Sequence, residues 1–172
     1  GPFRWIIAAA AVTGVAIPFF RQMPWPWLPR FPRLAVWGVS FIALSALGFA
    51  VTQAQNPDGD EPHYLIVTHS LVADGDLRIE NNHRNEDYAS FYGGDLRPHF
   101  LSRGRRGEIY SIHAPGLPTL LTPAYALGGY AGAVAMMLLF ASLATLALFD
   151  LMRRFTGPRV SCVTCALVTF TV

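Results

Sequence analysis

Polar chemistry in this chain is confined to one stretch. All five histidines and ten of the eleven acidic residues fall between Asp58 and His113, and the acidic exception is Asp150. The flanking sequence is almost purely apolar. A loop of roughly sixty residues is usually functional or disordered. This one carries Tyr, Phe, Leu and Ile throughout, a composition that favours packing over disorder.

The flanks read as membrane segments. The chain is 52% hydrophobic and 14% charged, with a mean hydropathy of +0.34, which excludes an ordinary soluble domain. Leu34 to Ala54 is uncharged over a length sufficient to cross a hydrocarbon core of roughly 30 Å. Ala131 to Phe149 gives a second such run. Trp5 to Phe20 is shorter and contains Pro18, and Val160 to Val172 begins another apolar run. The sequence opens on Gly and stops inside that last run, so the expectation is a piece of a larger multi-span protein.

Topology follows from charge. All thirteen basic residues are arginines. Arg21, Arg30 and Arg33 cluster before the first long span, and Arg153, Arg154 and Arg159 follow the second. The positive-inside rule puts both clusters in the cytoplasm and the Asp58–His113 loop outside. Both clusters can share a side only if a single crossing separates the loop from Arg153. Residues 116–127, punctuated by Pro118 and Pro123, are too short to cross and read as an interfacial helix that enters the span through Gly128-Gly129. A helical hairpin through both segments is the alternative.

The expected fold is therefore an all-α membrane protein, a multi-span helical bundle with a large extracytoplasmic loop containing juxtamembrane helices. Residues 1–33 form an N-terminal membrane segment and basic loop, with Pro24-Trp25-Pro26-Trp27 as an interfacial anchor. Residues 34–54 span, 55–115 form the loop, 116–130 the interfacial helix, 131–152 the next span, 153–159 a cytoplasmic loop and 160–172 the start of a further span. Cys162 and Cys165 form a CxxC, but no second ligand pair accompanies them, so they read as small residues packing a helix. The loop has no cysteine, and its order must come from packing.

Within the loop, Asn56-Pro57-Asp58-Gly59 is a turn. Asp60-Glu61-Pro62 opens a helix over residues 63–73, with Pro in the first turn and carboxylates at the positive end of the helix dipole. Asp74-Gly75-Asp76 ends it. Residues 77–100 are expected to be irregular. Arg103-Gly104-Arg105-Arg106-Gly107 is a basic turn, followed by a strand-like run over 109–112.

Asp60 and Glu61 are the sharpest candidates for chemistry, because two adjacent carboxylates lie just beyond an outward-going span. Helix capping accounts for one of them. His63, His113 and the arginines Arg103, Arg105 and Arg106 are candidates to hold an anion, and the arginines equally suit lipid headgroups. Asp60 and Glu61 also leave room for a divalent cation, although no HExxH-type spacing is present. His69, His83 and His99 read as structural.

Gly59-Asp60-Glu61-Pro62-His63-Tyr64-Leu65 resembles the opening of external loop 1 in membrane glycosyltransferases of the C superfamily, in the branch of the protein O-mannosyltransferases and lipid A aminoarabinose transferases. Tyr110-Ser111-Ile112-His113-Ala114-Pro115-Gly116-Leu117-Pro118 resembles that branch's His/Lys-Pro-Pro-Leu segment, with Ala-Pro in place of Pro-Pro. Arg153-Arg154-Phe155-Thr156-Gly157 resembles the basic end of its next span. The resemblance implies transfer of a sugar, with inversion, from a polyprenyl-phosphate donor to an acceptor on the external face. It also implies Asp60 as catalytic base, Glu61 arranging acceptor, phosphate or metal, and a cation near His113 touching the donor phosphate. A carboxylate is chemically suited to take the proton of an attacking hydroxyl, and the phosphate leaving group needs donors and positive charge. The partners expected are the lipid-phosphate sugar and membrane lipid, with no nucleic acid, and the location expected is a bacterial inner membrane with the site on its periplasmic face. Two other readings stay open: a transporter, whose ionisable residues would sit inside spans, and a non-catalytic module whose loop docks a partner.

Overall fold

A computed structural model describes residues 33–54 and 56–171. The expected segment Trp5–Phe20, the tryptophan-proline anchor, and Arg21 and Arg30 lie outside the described residues. What is described is mostly helical, with no strand among the described residues. Five α-helices and one 3-10 turn follow in order: α1 (Arg33–Ala54), α2 (Glu61–Ala73), α3 (Glu80–Arg84), the 3-10 turn (Asp87–Ser90), α4 (Gly116–Phe155) and α5 (Pro158–Thr171).

Two of these helices are long and apolar enough to cross a membrane. Residues 33–52 of α1 reach a mean hydropathy of 2.1, and α4 reaches 2.2. Much of the apolar surface of both is uncovered: Leu34, Val39, Ile42 and Phe49 of α1 and Leu127 and Leu151 of α4 are exposed.

The α4 helix is two helices joined at an elbow. Gly129 has φ 56° and ψ −140°, a backbone conformation in which a Cβ would be strained. The chain folds so tightly there that a Cβ on Gly132 would meet the carbonyl oxygen of Ala124. In an unbroken helix those residues, eight apart, would be separated by roughly 12 Å of rise. Small residues are what let the two arms approach this closely.

The described residues fall into two compact units. One contains residues up to Leu44 with those from Phe140 onward, and the other is Ser45–Leu139. In the first, Val36, Phe149 and Cys165 form the buried cluster, with Leu146, Leu148 and Cys162 against it. Cys162 and Cys165 are free thiols, and the Cys165 thiol points at the Thr145 carbonyl at 3.7 Å, so packing is the role they show. An apolar cavity of about 230 Å³ lies between α1 and α5 in this unit, lined by Val36, Ser40, Cys165 and Thr169 among others. Arg33, at the start of α1, pairs with Asp150 at 2.5 Å. Arg153 and Arg154 are nearer to Asp150 along the chain, but the ion pair is made by Arg33. Arg153 lies over the Phe149 ring, 5.6 Å from its centroid, and the start of α1 therefore lies beside the end of α4.

The second unit is the loop packed on the first arm of α4. Leu65, Ile66 and Val67 of α2 share a core with Ile79, Tyr88, Phe91, Leu96 and Ile109 of the loop and with Leu121, Tyr125 and Ala133 of α4. At α1, a Cβ on Gly48 would lie 2.8 Å from Leu138 Cδ2, so glycine permits that approach. Residues 77–100 carry more order than their sequence pattern led one to expect. Asn82, buried, donates to both Asp74 (2.8 Å) and Asp87 (3.1 Å), tying α3 to the end of α2 and to the 3-10 turn. Ser70 donates to the carbonyls of Asp76 and Arg78. The run 109–112 forms no strand, its β pairing being an isolated antiparallel bridge of Arg78 with Tyr110.

Candidate functional site

The N-terminus of α2 sets the site. Gly59 turns the chain with φ 60°, its N–H bonded to the Asp58 carboxylate at 2.7 Å. Pro62 occupies the first turn, and its missing N–H costs nothing there. Asp60 is the N-cap residue by position, yet its side chain makes no capping hydrogen bond. Its backbone carbonyl accepts the N–H groups of His63 and Tyr64, both at 3.1 Å. The Asp60 carboxylate is 68% exposed and is not used in holding the helix.

Glu61, beside it, accepts a long hydrogen bond from the Tyr130 hydroxyl, 3.4 Å. Burial raises the Glu61 carboxyl above its usual range, and the Tyr130 bond opposes that shift. Tyr130 immediately follows the elbow glycine, so the α4 bend is what brings a phenol to this carboxylate.

Three imidazoles converge next to Asp60. His63 projects from the first turn of α2, His99 from the extended segment after Leu96, and His113 from the segment leading into α4. The Ile112 N–H donates to the His99 carbonyl at 3.0 Å, which sets the last two side by side. The ring centroids are 3.8 Å apart for His63–His99, 5.3 Å for His63–His113 and 5.8 Å for His99–His113, all roughly parallel. Tyr64 leans on His113 at 5.0 Å. His113 Nε2 lies 4.0 Å from Asp60 Oδ1, with 8% of the His113 side chain exposed. That nitrogen is buried and has no hydrogen-bond partner.

Burial holds His63 in its neutral form. Desolvation, then the neighbouring His99 and His113, push its pKa down from 6.5 to about 4. A cationic His63 gripping an anion at neutral pH is therefore not what this environment favours, and its ring is better read as a neutral donor of a lone pair.

The structure brings Asp60, His63 and His113 of the expected set together, while Glu61, next to Asp60 in the chain, bonds to Tyr130. It places the arginines elsewhere in their bonding. Arg103 donates to Glu80 (2.6 Å) and to the Gly107 carbonyl (2.7 Å) and stacks on Phe100 at 5.7 Å. The turn itself closes through Gly107 N–H to the Gly104 carbonyl and Gly104 N–H to the Glu108 carbonyl. Arg105 and Arg106 are exposed. Among the described residues no hydrogen bond or ion pair joins any of these arginines to Asp60, His63 or His113.

Sequence reasoning missed His99. It sits in an aperiodic stretch whose only signal was histidine enrichment of the loop. The other two histidines are held by protein oxygens: His69 pairs with the Tyr125 hydroxyl at 3.3 Å, and His83 Nδ1 donates to the Leu96 carbonyl at 2.9 Å while its Nε2 is buried without a partner. As for metal, the atoms close enough to share one ion belong to His63, His99 and His113, which lie within 4.8 Å of one another. The sequence pointed to Asp60 and Glu61.

Comparison with protein-family models, curated proteins and solved structures returned no match. The likeness to C-superfamily glycosyltransferases accordingly rests on the short loop motifs alone. What the fold establishes is a helical protein with two helices apolar and long enough to cross a membrane, and a polar loop in which an exposed carboxylate lies beside one of three clustered histidines.

Proposed function

We propose that this chain carries the active-site loop of a membrane glycosyltransferase, which moves a sugar with inversion from a polyprenyl-phosphate donor to an acceptor hydroxyl on the extracytoplasmic face. Asp60 is the general base in this reading, and Glu61 orients the acceptor. The observation that carries it is the state of Asp60: a carboxylate at a helix N-terminus, exposed, and not consumed by capping. Its bland explanation required a hydrogen bond to the helix backbone, and that bond is absent. A base needs an accessible lone pair within reach of a hydroxyl proton, which Asp60 has.

The pairing of Arg33 with Asp150 supports the topology this chemistry requires. It is what two antiparallel crossings with both basic clusters on one side would give, leaving the loop on the other side. A donor whose lipid tail stays in the bilayer can then present its phosphosugar to the loop. His113, beside Asp60, is the donor nearest to hand for the phosphate. The arginine turn, with Arg103 committed to Glu80, has the weaker claim, and contact with anionic headgroups suits it better. The transporter reading loses ground because the one acidic residue in the described apolar helices, Asp150, is neutralised by Arg33.

The test is Asp60→Asn in the purified protein reconstituted with lipid-phosphate sugars. Loss of transfer by about 10²–10⁴-fold, with helix content unchanged, supports the base. Full retention of transfer, or no transfer by the wild-type protein with any such donor, overturns it.

A further inference from the structure

We infer that His63, His99 and His113 form a binding site for one divalent transition-metal ion of the zinc class, with Asp60 at its open edge. The inference does not rest on the transferase reading, and it stands on the geometry of the three rings.

Each ring offers one nitrogen, and the three nitrogens lie within 4.8 Å of one another. A tetrahedral site with metal–nitrogen bonds of about 2.0–2.1 Å holds its ligand atoms about 3.4 Å apart. The gap is closed by turning imidazoles about their second side-chain torsion, which has broad, shallow wells. No backbone element has to move far, because the Ile112–His99 hydrogen bond already holds two of the three segments together.

The hydrogen-bonding contrast within the loop is the second, independent observation. His69 and His83 are each tied to a protein oxygen through one ring nitrogen, although His83 Nε2 is itself buried without a partner. None of the three clustered rings makes a hydrogen bond among the described residues, and His113 Nε2 is buried, 92% of its side chain being out of solvent, with no partner. Buried polar nitrogens in folded proteins are nearly always satisfied, and His113, unlike His83, belongs to a group of three rings whose nitrogens lie within 4.8 Å of one another. Packing alone does not explain three stacked imidazoles, since apolar rings would fill the same space without stranding a nitrogen.

The donor set selects the ion. Three imidazoles favour zinc, copper, nickel or iron over magnesium and calcium, which prefer oxygen. Three protein ligands with an open fourth position is the arrangement of zinc sites that bind an exchangeable ligand. The Asp60 carboxylate lies beside the group, 4.0 Å from His113 Nε2.

The experiment is a titration of the detergent-solubilised chain, purified without a histidine tag, with Zn²⁺ by calorimetry and with Co²⁺ by visible absorption. The expected result is one ion per chain and a tetrahedral Co²⁺ spectrum. His99→Ala, at an exposed position, weakens binding by at least about a hundredfold, since loss of a direct ligand exceeds the 10–100-fold cost of losing a supporting contact. His83→Ala and the double variant Cys162→Ser/Cys165→Ser bind as the wild type does. Failure of the wild-type chain to take up Zn²⁺ overturns the inference. So does full binding by His99→Ala, or loss of binding in the cysteine variant.

Discussion

Gly132 lies against the carbonyl of Ala124 so closely that a methyl group on it has no room. This contact closes the elbow of α4, which in turn places Tyr130 against Glu61 and Leu121 and Tyr125 in the loop core. The bend is thus a structural part of the site.

Gly132→Ala is expected to destabilise the Ser45–Leu139 unit by about 1–3 kcal/mol or more, the range for overpacking a tight contact. The obstacle is backbone and cannot rotate away. Gly129→Ala should cost about 1–3 kcal/mol through its left-handed φ. Denaturant unfolding in micelles measures both. A Gly132→Ala protein as stable as wild type would mean the arms do not meet.

Asn82→Ala should destabilise the same unit by about 1–3 kcal/mol, the cost of losing a buried bridging donor. Two carboxylates, Asp74 and Asp87, would lose their shared partner. The Asn82 bond is the main reason the Asp74 carboxyl sits below its usual range, so a titration of Asp74 followed by NMR should move upward in the variant. Asn82→Asp should be worse, because it sets a third negative charge between them.

Acid should weaken the loop through His83. Burial lowers its pKa below the ordinary 6.5, outweighing its bond to the Leu96 carbonyl and the charge of Asp95, while His99 adds to the lowering. The unfolded chain therefore binds this proton first. The contribution of neutral His83 is complete above pH 6.5 and is lost as pH falls from there through the folded pKa. His83→Gln, which keeps a donor for Leu96 and cannot titrate, should show a shallower loss of stability below pH 6.5 than wild type.

The Arg33–Asp150 pair is partly exposed, 61% and 34% for the two side chains. Such a pair is worth up to about 1 kcal/mol. Arg33→Ala and Asp150→Asn should each cost that much, fade at high salt, and add no further loss when combined. An additive double variant would show that the two charges act separately.

Much of the site was legible along the chain. Pro62 in a first turn, acids at its start and the Asp74-Gly75 stop define α2 within two residues, because these are local signals with local causes. Gly128-Gly129 likewise marks the elbow, and the paired glycines of 103–107 mark the basic turn. The short polar helix α3 was not legible. Five residues cannot pay the nucleation cost of a helix unaided, and α3 exists because Asn82 anchors it. Nor was the role of His99, whose place depends on a hydrogen bond from Ile112.

Composition alone determined the partition of this protein into apolar helices and one polar loop, since the hydrophobic effect is non-directional and follows from which residues are present. Its local turns and helix start were fixed the same way, by residues adjacent in the chain. Only the tertiary structure decided that His63, His99 and His113 face one another, that Asp60 caps nothing, and that Arg103 answers to Glu80. Those outcomes depend on directional contacts between groups far apart in the chain, and such contacts exist only once the core of the loop has closed on α4.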